Sequence, residues 1–380
     1  MEYGIYIHIP FCIVKCIYCD FYSITDRDGD IPVFVDAICS EINSSATRFE
    51  DPGKVKVRTI FIGGGTPSLV EPKWIERILD LLASIYDMSS VSEVTIEANP
   101  GEAPLQRLKD FRSIGINRIS MGFQSFQPEL LKFLSRIHSV DDCFKTFRHA
   151  RQAGFENINT DMIYNIPGQS NRIWKNDLER LIELEPDHIS AYSLTVEKNT
   201  ILHSMVKTNK VKMPSEELDI EFFQTTNDVL SNAGFPRYEI SNFARPGFEC
   251  RHNLNYWDNG DYLGLGAGAS SYLNGERFKN TRLPSHYIRE VQAEGSAVES
   301  SEKLDLLHAM GETIMLGLRR LKGIPIEEFE DRFQISFKKV YGNVIDPLLE
   351  DGLITLNQNR MALSRKGLFL ADSVILKFMA

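Results

Sequence analysis

The sequence has few cysteines, no long apolar run and fewer basic than acidic residues. Only six of its 380 residues are cysteine, and 42 basic residues against 52 acidic ones give a formal net charge of −10. This balance argues against non-specific binding to nucleic acid, which favours basic patches. No apolar stretch approaches the ~20 residues that cross a bilayer. The N-terminal residues carry no basic segment typical of a secretory signal. We therefore expect a cytoplasmic protein without a membrane span.

Half of the cysteines lie within eight residues. Cys12, Cys16 and Cys19 follow the pattern Cys-x3-Cys-x2-Cys. In a cytosolic chain such a group indicates metal binding or catalysis rather than a disulfide framework. Three thiolates suit three irons of a 4Fe-4S cluster and leave the fourth iron open. A zinc site with His8 as its fourth ligand is the alternative, because structural zinc prefers four protein ligands.

Strand-like and amphipathic segments alternate through the first 200 residues. Strands are predicted near residues 3–8, 59–62, 93–98, 118–122, 157–163 and 188–194, and helices at 32–49, 72–86, 104–114, 140–153 and 174–184. This alternation predicts a parallel sheet with helices outside. Right-handed crossovers curl such a sheet into a partial (β/α)6 barrel, two units short of a closed TIM barrel. The cysteine group follows the first strand, at the end of the barrel where active sites gather.

The second half of the chain predicts two further regions. Residues 201–300 extend the barrel with a helix at 215–233, then short strands and a loop-rich stretch at 237–273. Residues 301–380 give helices at 303–318, 325–333 and 337–350, two short strands and a final helix, which is typical of a winged-helix-like α+β domain. Because this region has no basic recognition face, we interpret it as a lid or packing domain.

The motifs resemble one family along nearly the whole chain. "YIHIPFCIVKCIYCDF" is similar to the cluster loop of the radical S-adenosylmethionine (radical SAM) superfamily. It is most similar to the branch that holds oxygen-independent coproporphyrinogen III oxidase and the heme chaperones. Further motifs follow in order, including "GGGTPS", "IEANP", "RISMGFQSF", "DMIYNIPGQ" and "DYLGLGAGASS". The resemblance implies a 4Fe-4S cluster on Cys12, Cys16 and Cys19, with SAM on the open iron.

The resemblance also implies a set of SAM-binding residues. Glycines let a ligand approach the backbone closely, Glu97 suits an ammonium group, Arg136 suits a carboxylate and Asp161 suits ribose hydroxyls. Taken singly, glycines of this kind more often form a tight turn, and the polar residues more often form surface ion pairs or caps. The full set is Tyr6, Tyr18, Gly64, Gly65, Thr66, Glu97, Gln124, Arg136, Asp161, Thr195 and Ser270.

Some members of the set carry little side-chain information. The contacts implied for Tyr18 and Thr195 suit backbone groups. Ser270 stands where many relatives have His. If the side chain at this position helps to ligate heme iron, ligation is weaker in this protein or shifts to His252.

The stretch "RHNLNYW" at residues 251–257 resembles the mark of the heme chaperone group. Its His252 is a candidate heme ligand, because a neutral imidazole binds heme iron and aromatic rings can flank the macrocycle. Cys250 is a second candidate. The alternative is a packed loop in which the aromatic residues belong to the core and His252 makes a hydrogen bond.

Two functions follow from the resemblance. The preferred one is a heme chaperone that binds the cluster, SAM and heme and passes heme to an acceptor protein. The alternative is decarboxylation of coproporphyrinogen III to protoporphyrinogen IX. Cys19-Asp20-Phe21 lacks the Cys-x-Cys ending typical of the decarboxylases, which favours the chaperone. Arg319 and Arg320 either pair with propionates or complement a helix C-terminus, and we prefer the latter. The sequence identifies neither the acceptor, nor the electron donor, nor a catalytic residue.

Overall fold

The computed structural model describes residues 2–357 and 359–379. The helices are α1 Ile31–Ala46, α2 Pro72–Ile85, α3 Leu105–Ser113, α4 Pro128–Phe133, α5 Val140–Gln152, α6 Asn171–Ile182, α7 Ile201–Lys207, α8 Glu216–Asn232, α9 Arg251–Trp257, α10 Pro284–Glu294, α11 Leu306–Gly317, α12 Ile326–Phe333, α13 Phe337–Glu350, α14 Arg365–Phe369 and α15 Ala371–Leu376. The strands are β1 Glu2–Ile9, β2 Lys56–Gly64, β3 Glu93–Ala98, β4 Arg118–Gln124, β5 Asn157–Tyr164, β6 His188–Ser193, β7 Asn242–Ala244, β8 Tyr262–Leu265, β9 Ser270–Leu273, β10 Glu276–Asn280, β11 Val298–Lys303, β12 Ile324–Pro325, β13 Ile354–Asn357 and β14 Arg360–Leu363.

Six parallel strands in chain order, β1 to β6, form the centre of one large sheet. β8 pairs in parallel with β1 on its free side, and β9, β10 and β11 continue that edge as antiparallel strands. β7 adds antiparallel to β6 at the other edge. Among the described residues the two edge strands β7 and β11 do not pair, so the sheet stays open. The predicted partial (β/α)6 barrel is confirmed.

Alternation along the strands separates an apolar outer face from a polar interior. Ile5, Ile7 and Ile9 of β1 are at most 2% exposed and belong to the main apolar core. On α2 the buried residues Ile75, Ile78 and Leu82 recur at helical spacing. The opposite face of β1 presents Gly4, Tyr6 and His8. The barrel therefore keeps polar groups and small residues inside, where a ligand can enter.

The C-terminal region has its own apolar core. The buried residues of that core lie between Met310 and Phe378. Three helices, α11 to α13, precede the β13–β14 hairpin, which β12 extends to three strands. The structure thus contains the C-terminal winged-helix-like domain predicted from the sequence. The division at residues 200 and 300 stays a prediction.

Three local predictions differ from the structure. Residues 251–257 lie in a stretch predicted to be loop-rich, but they form α9. The helix predicted at 303–318 begins only at Leu306, because residues 298–303 pair with β10 as the exposed strand β11. The final helix is divided in two at Leu370. No helix within residues 2–357 and 359–379 is long and apolar enough to cross a membrane.

Candidate metal and cofactor site

The cysteine loop leaves β1 at the C-terminal end of the parallel strands. Backbone bonds close its base, since Cys12 N donates to Ile24 O at 2.9 Å and Ile24 N donates to Pro10 O at 2.7 Å. Its middle is held by Leu202 N, which donates to Ile17 O at 2.9 Å. These anchors leave all three cysteines half-buried. The loop is therefore fixed in position while its thiols remain accessible.

Side-chain donors face the thiols of Cys12 and Cys16, and the backbone N–H of Phe21 faces Cys19. Thr66 Oγ1 donates to Cys12 Sγ at 3.5 Å, and Arg136 Nη1 donates to Cys16 Sγ at 3.5 Å. Burial, with the neighbouring thiolate charges of Cys16 and Cys12, raises the pKa of Cys19 to about 11. Burial also raises the pKa of Cys12. Without a metal these groups therefore favour the thiol, and a bound cation would replace the protons.

The arrangement of the thiols fits an iron–sulfur cube better than one zinc ion. Within the described part of the chain, no three Cys, His, Asp or Glu side chains converge on a single-ion position. In a 4Fe-4S cube each thiolate binds its own iron, so no such convergence is needed. His8 also lacks a free nitrogen, since Nε2 lies 2.9 Å from Tyr22 O and Nδ1 lies 2.9 Å from Tyr6 Oη. The zinc alternative thus loses its fourth ligand.

The glycine-rich loop after β2 packs directly against the cysteine loop. Gly65 N donates to Ile9 O at 2.8 Å, and Thr66 N donates to Phe11 O at 2.7 Å. A Cβ on Gly65 would lie 2.5 Å from Phe11 O, and one on Gly64, whose φ is +116°, would lie 2.6 Å from the His8 ring. Close packing against backbone therefore requires glycine at position 65, and the His8 ring together with the positive φ requires it at position 64. Their contact with SAM stays a prediction.

Two carboxylates face the interior beside this loop. Glu97 Oε2 accepts from Gly64 N at 2.9 Å, and burial together with nearby Asp161 raises the pKa of Glu97 to about 7. Asp161 accepts from Asn159 Nδ2 at 2.7 Å and from Ser120 Oγ at 3.2 Å. Its pKa is also raised by burial. Two acids that cost free energy to ionise in this interior are suited to a cationic ligand.

The end of β4 has an unusual backbone. Gln124 is buried and has φ +69°, directly after a register shift between Gly122 and Gln124. Such left-handed non-glycine residues tend to gather at ligand sites. Arg136 lies against this end of the strand, where Nη2 donates to Gly122 O at 2.8 Å and to Asn99 Oδ1. Its buried Nε has no partner in the described structure.

Asn99 is a site residue that the sequence analysis missed. It lies one residue beyond β3 and contacts both Thr66 and Arg136. The available signal was its place in "IEANP", two residues after Glu97 at a strand end, where functional side chains of parallel sheets collect.

The four other predicted SAM residues lie at different positions around the barrel. Tyr6 is inside it and bonds to His8. Tyr18 lies in the cysteine loop, where burial and the nearby Cys16 charge raise its pKa. Thr195 is exposed in the loop after β6, and Ser270 begins β9. The backbone of Ser270 contacts Gly264, since a Cβ on Gly264 would lie 2.0 Å from Ser270 O. The roles of all four stay predictions.

His252 is fully buried in α9, with both ring nitrogens engaged. Nδ1 lies 2.8 Å from Thr59 Oγ1, and Nε2 lies 2.9 Å from Tyr256 Oη. Burial and the Arg118 charge lower its pKa to about 3. Cys250 is likewise buried, and its Sγ donates to Glu93 Oε1 at 3.5 Å. This geometry argues against either residue as a heme ligand and supports the packed-segment interpretation.

α9 plugs the barrel at the end opposite the cysteine loop. Its neighbours Gly4, Thr59 and Glu93 lie near the N-terminal ends of their strands. Glu93 fixes the helix start by accepting from Arg251 N at 3.0 Å and from His252 N at 3.1 Å. The plug therefore depends on a carboxylate that lies ~160 positions earlier in the chain. The intrinsic helix propensity of such a short segment contributes little to its stability.

A cavity of about 240 Å³ borders the plug. Its walls include Tyr256, Trp257, Tyr262, Tyr272, Arg277 and Glu312. Trp257 Nε1 and Glu312 Oε2 are buried without partners in the described structure. Arg319 stacks over Trp257 at 4.6 Å, and Arg320 forms an ion pair with Asp258. Both arginines thus link the plug to the C-terminal region, and they follow directly on the C-terminal end of α11. Propionate pairing and complementation of the helix C-terminus both stay predictions.

Comparison with known proteins agrees with this architecture. The sequence matches the Radical SAM superfamily over residues 6–181 and the HemN C-terminal domain over residues 304–370. Among solved structures, coproporphyrinogen III oxidase (HemN) from Escherichia coli superposes with a TM-score of 0.86 at 25% identity. The match covers 100% of this chain and 90% of that one. The fold and cysteine loop thus define a radical SAM protein with a HemN-type C-terminal domain.

Full-length relatives narrow the assignment. The heme chaperone HemW of Lactococcus lactis is 37% identical over 98% of this chain and 96% of its own length. That of Haemophilus influenzae is 36% identical over 97% and 96%. A mouse relative, the mitochondrial radical S-adenosyl methionine domain-containing protein 1, is 32% identical over 98% and 86%. The chain belongs to the heme chaperone HemW family.

Proposed function

We propose that this protein is a heme chaperone that binds a 4Fe-4S cluster and SAM and transfers heme to an acceptor protein. The observation that carries the proposal is the fixed loop at the barrel mouth, where three accessible thiols lie beside donors and two interior acids. Three thiol ligands leave one iron of a cube open. The heme function is supported by the full-length relatives, which are heme chaperones.

Each side chain at the mouth has a proposed part. Cys12, Cys16 and Cys19 would hold the cluster, which when bound and reduced supplies an electron to the SAM sulfonium. Glu97 would accept hydrogen bonds from the SAM ammonium, and Asp161 from ribose hydroxyls. Gln124 and the glycine loop would line the same ligand. Arg136 would hold a carboxylate with the donors that its present contacts leave free.

The heme site is proposed separately from the SAM site. A cavity with four aromatic residues and an arginine lies beside α9, and aromatic walls suit a planar macrocycle. The void is small for a whole porphyrin, so it would take an edge of the ring. His252 as the iron ligand stays a prediction, and binding through it would require both of its hydrogen bonds to break.

The experiment that tests the proposal uses anaerobically reconstituted protein. Iron and sulfide are counted, SAM binding is measured by calorimetry, and hemin is titrated under the same conditions. We expect iron, SAM and hemin to bind. A colourless protein with stoichiometric zinc and no response to SAM would overturn the proposed 4Fe-4S cluster. Absence of hemin binding would overturn the proposed chaperone function.

Coproporphyrinogen III oxidase activity is the second candidate, favoured by the full-length structural similarity to HemN. Incubation of the reduced, reconstituted protein with coproporphyrinogen III and SAM separates the two functions. We expect no protoporphyrinogen IX above the level of a cluster-free control. Turnover would make the oxidase the better assignment.

A reducing compartment suits the cysteine loop, because the three thiols must stay unoxidised to bind iron. We therefore propose a cytoplasmic location, as predicted from the sequence. The acceptor protein and the electron donor are further partners that the proposal requires.

A further inference from the structure

A chain of hydrogen bonds joins Cys12 to Cys16 through Asn99. Asn99 Nδ2 donates to Thr66 Oγ1 at 2.8 Å, and Thr66 Oγ1 donates to Cys12 Sγ at 3.5 Å. On the other side Asn99 Oδ1 accepts from Arg136 Nη2, and Arg136 Nη1 donates to Cys16 Sγ at 3.5 Å. One amide thus connects the donors of two cysteines that come from the same loop.

Chemistry fixes the direction of every bond in this chain. A guanidinium only donates, so the oxygen of Asn99 faces Arg136 and the nitrogen faces Thr66. Because Thr66 Oγ1 accepts from that nitrogen, its own proton is free to point at Cys12. The other Asn99 proton goes to Glu102 Oε2 at 3.2 Å. The amide of Asn99 is therefore held from three sides.

The backbone leaves room for this arrangement. A Cβ on Gly122 would lie 3.2 Å from Asn99 Oδ1, 3.3 Å from Arg136 Nη2 and 2.8 Å from Gln124 Nε2. Glycine at this position lets the amide and the guanidinium meet over the end of β4.

We infer that Asn99 is a positioning residue that orients Thr66 and Arg136 toward two cluster cysteines and thereby sets the reduction potential of the cluster. The inference rests on the proposed cluster. Donors to ligand sulfur stabilise the extra negative charge of the reduced cluster, and so they raise its potential. Without Asn99, Thr66 and Arg136 remain present but are no longer oriented toward the sulfur atoms of Cys12 and Cys16.

The test compares Asn99→Ala with Asn227→Ala, a control on α8 far along the chain from the cysteine loop. Iron and sulfide are counted first, and the potential is then measured by EPR-monitored redox titration without SAM. We expect equal iron in both variants and a more negative potential for Asn99→Ala alone. An unchanged potential would overturn the inference, whereas an iron-free wild type would overturn the proposed function.

A double-mutant cycle with Thr66→Val separates positioning from mere structural support. Because Asn99 acts partly through Thr66, the shift of Asn99→Ala/Thr66→Val should be smaller than the sum of the single shifts. Strict additivity would contradict the relay. If Asn99→Ala does not load iron, Thr66→Val alone should still lower the potential, and its failure to do so would overturn the inference.

Discussion

The two ends of the barrel contain the same kinds of residue in opposite settings. At the mouth, Cys12, Cys16 and Cys19 are half-buried on a loop whose shape is held by backbone bonds. At the other end, Cys250 and His252 are fully buried and their polar atoms have partners within the protein. The comparison sets thiols that remain accessible to a bound cation against side chains that are buried and hydrogen-bonded inside the protein. The same residue types with satisfied partners hold the fold.

Replacement of a mouth cysteine should have the largest effect on the cluster. Cys16→Ala removes one of three ligands, so we expect loss of the iron–sulfur absorption and of nearly all bound iron after reconstitution. Cys250→Ala is the matched change at the other end and should retain iron, with a stability loss of ~1–3 kcal/mol for a buried truncation. Equal iron loss in both variants would break the contrast between the two ends.

Gly65→Ala should damage the mouth through packing alone. The new methyl group would meet Phe11 O at 2.5 Å, and backbone on both sides cannot yield easily. We expect ~1–3 kcal/mol lower stability in denaturant unfolding, as for other overpacked sites, with reduced cluster loading. At Gly342 within α13 an added Cβ would make only an ordinary contact with Lys338 Cγ at 3.7 Å, so Gly342→Ala should instead stabilise by ~0.5–1 kcal/mol. A Gly65→Ala protein with normal loading would show that this contact is not needed.

His252→Ala tests the other end directly. It would open a cavity and leave Thr59 and Tyr256 without their partner, so we expect ~2–4 kcal/mol lower unfolding free energy. Exposed His308→Ala on α11 should change it by less than ~0.5 kcal/mol. Hemin titration of the folded variant then decides the role of the ring. Unchanged affinity supports the packed segment, and weaker affinity of the folded variant would restore His252 as a ligand.

The mouth was more predictable from the sequence than the opposite end, for a physical reason. The three cysteines, the glycines and Glu97 are positioned by their own strand ends, so local pattern and strand order suffice to bring them together. α9 forms because Glu93, far away in the chain, accepts from its first backbone N–H groups. The contacts of Asn99 could not be predicted for the same reason, since its partners Thr66 and Arg136 come from two other strand–helix units. Side-chain bonds between distant segments leave no periodic signal in the sequence.

The last effect concerns protons at the mouth. The pKa of Glu97 is raised to about 7, so its carboxylate is formed only as the pH rises through that value. If the carboxylate accepts from the SAM ammonium, SAM affinity should weaken below pH 7 by at most ~10-fold per pH unit.

The stability of the ligand-free protein should change with pH in the opposite direction. An unfolded glutamate ionises near 4.5 and the folded one near 7, so folding loses stability as the pH rises between these values. Glu97→Gln should flatten both profiles, measured by calorimetry with SAM and by denaturant unfolding. A variant that keeps the wild-type pH dependence of SAM binding would assign the titration to another group at the mouth, with Asp161 the first to examine, because burial raises its pKa too.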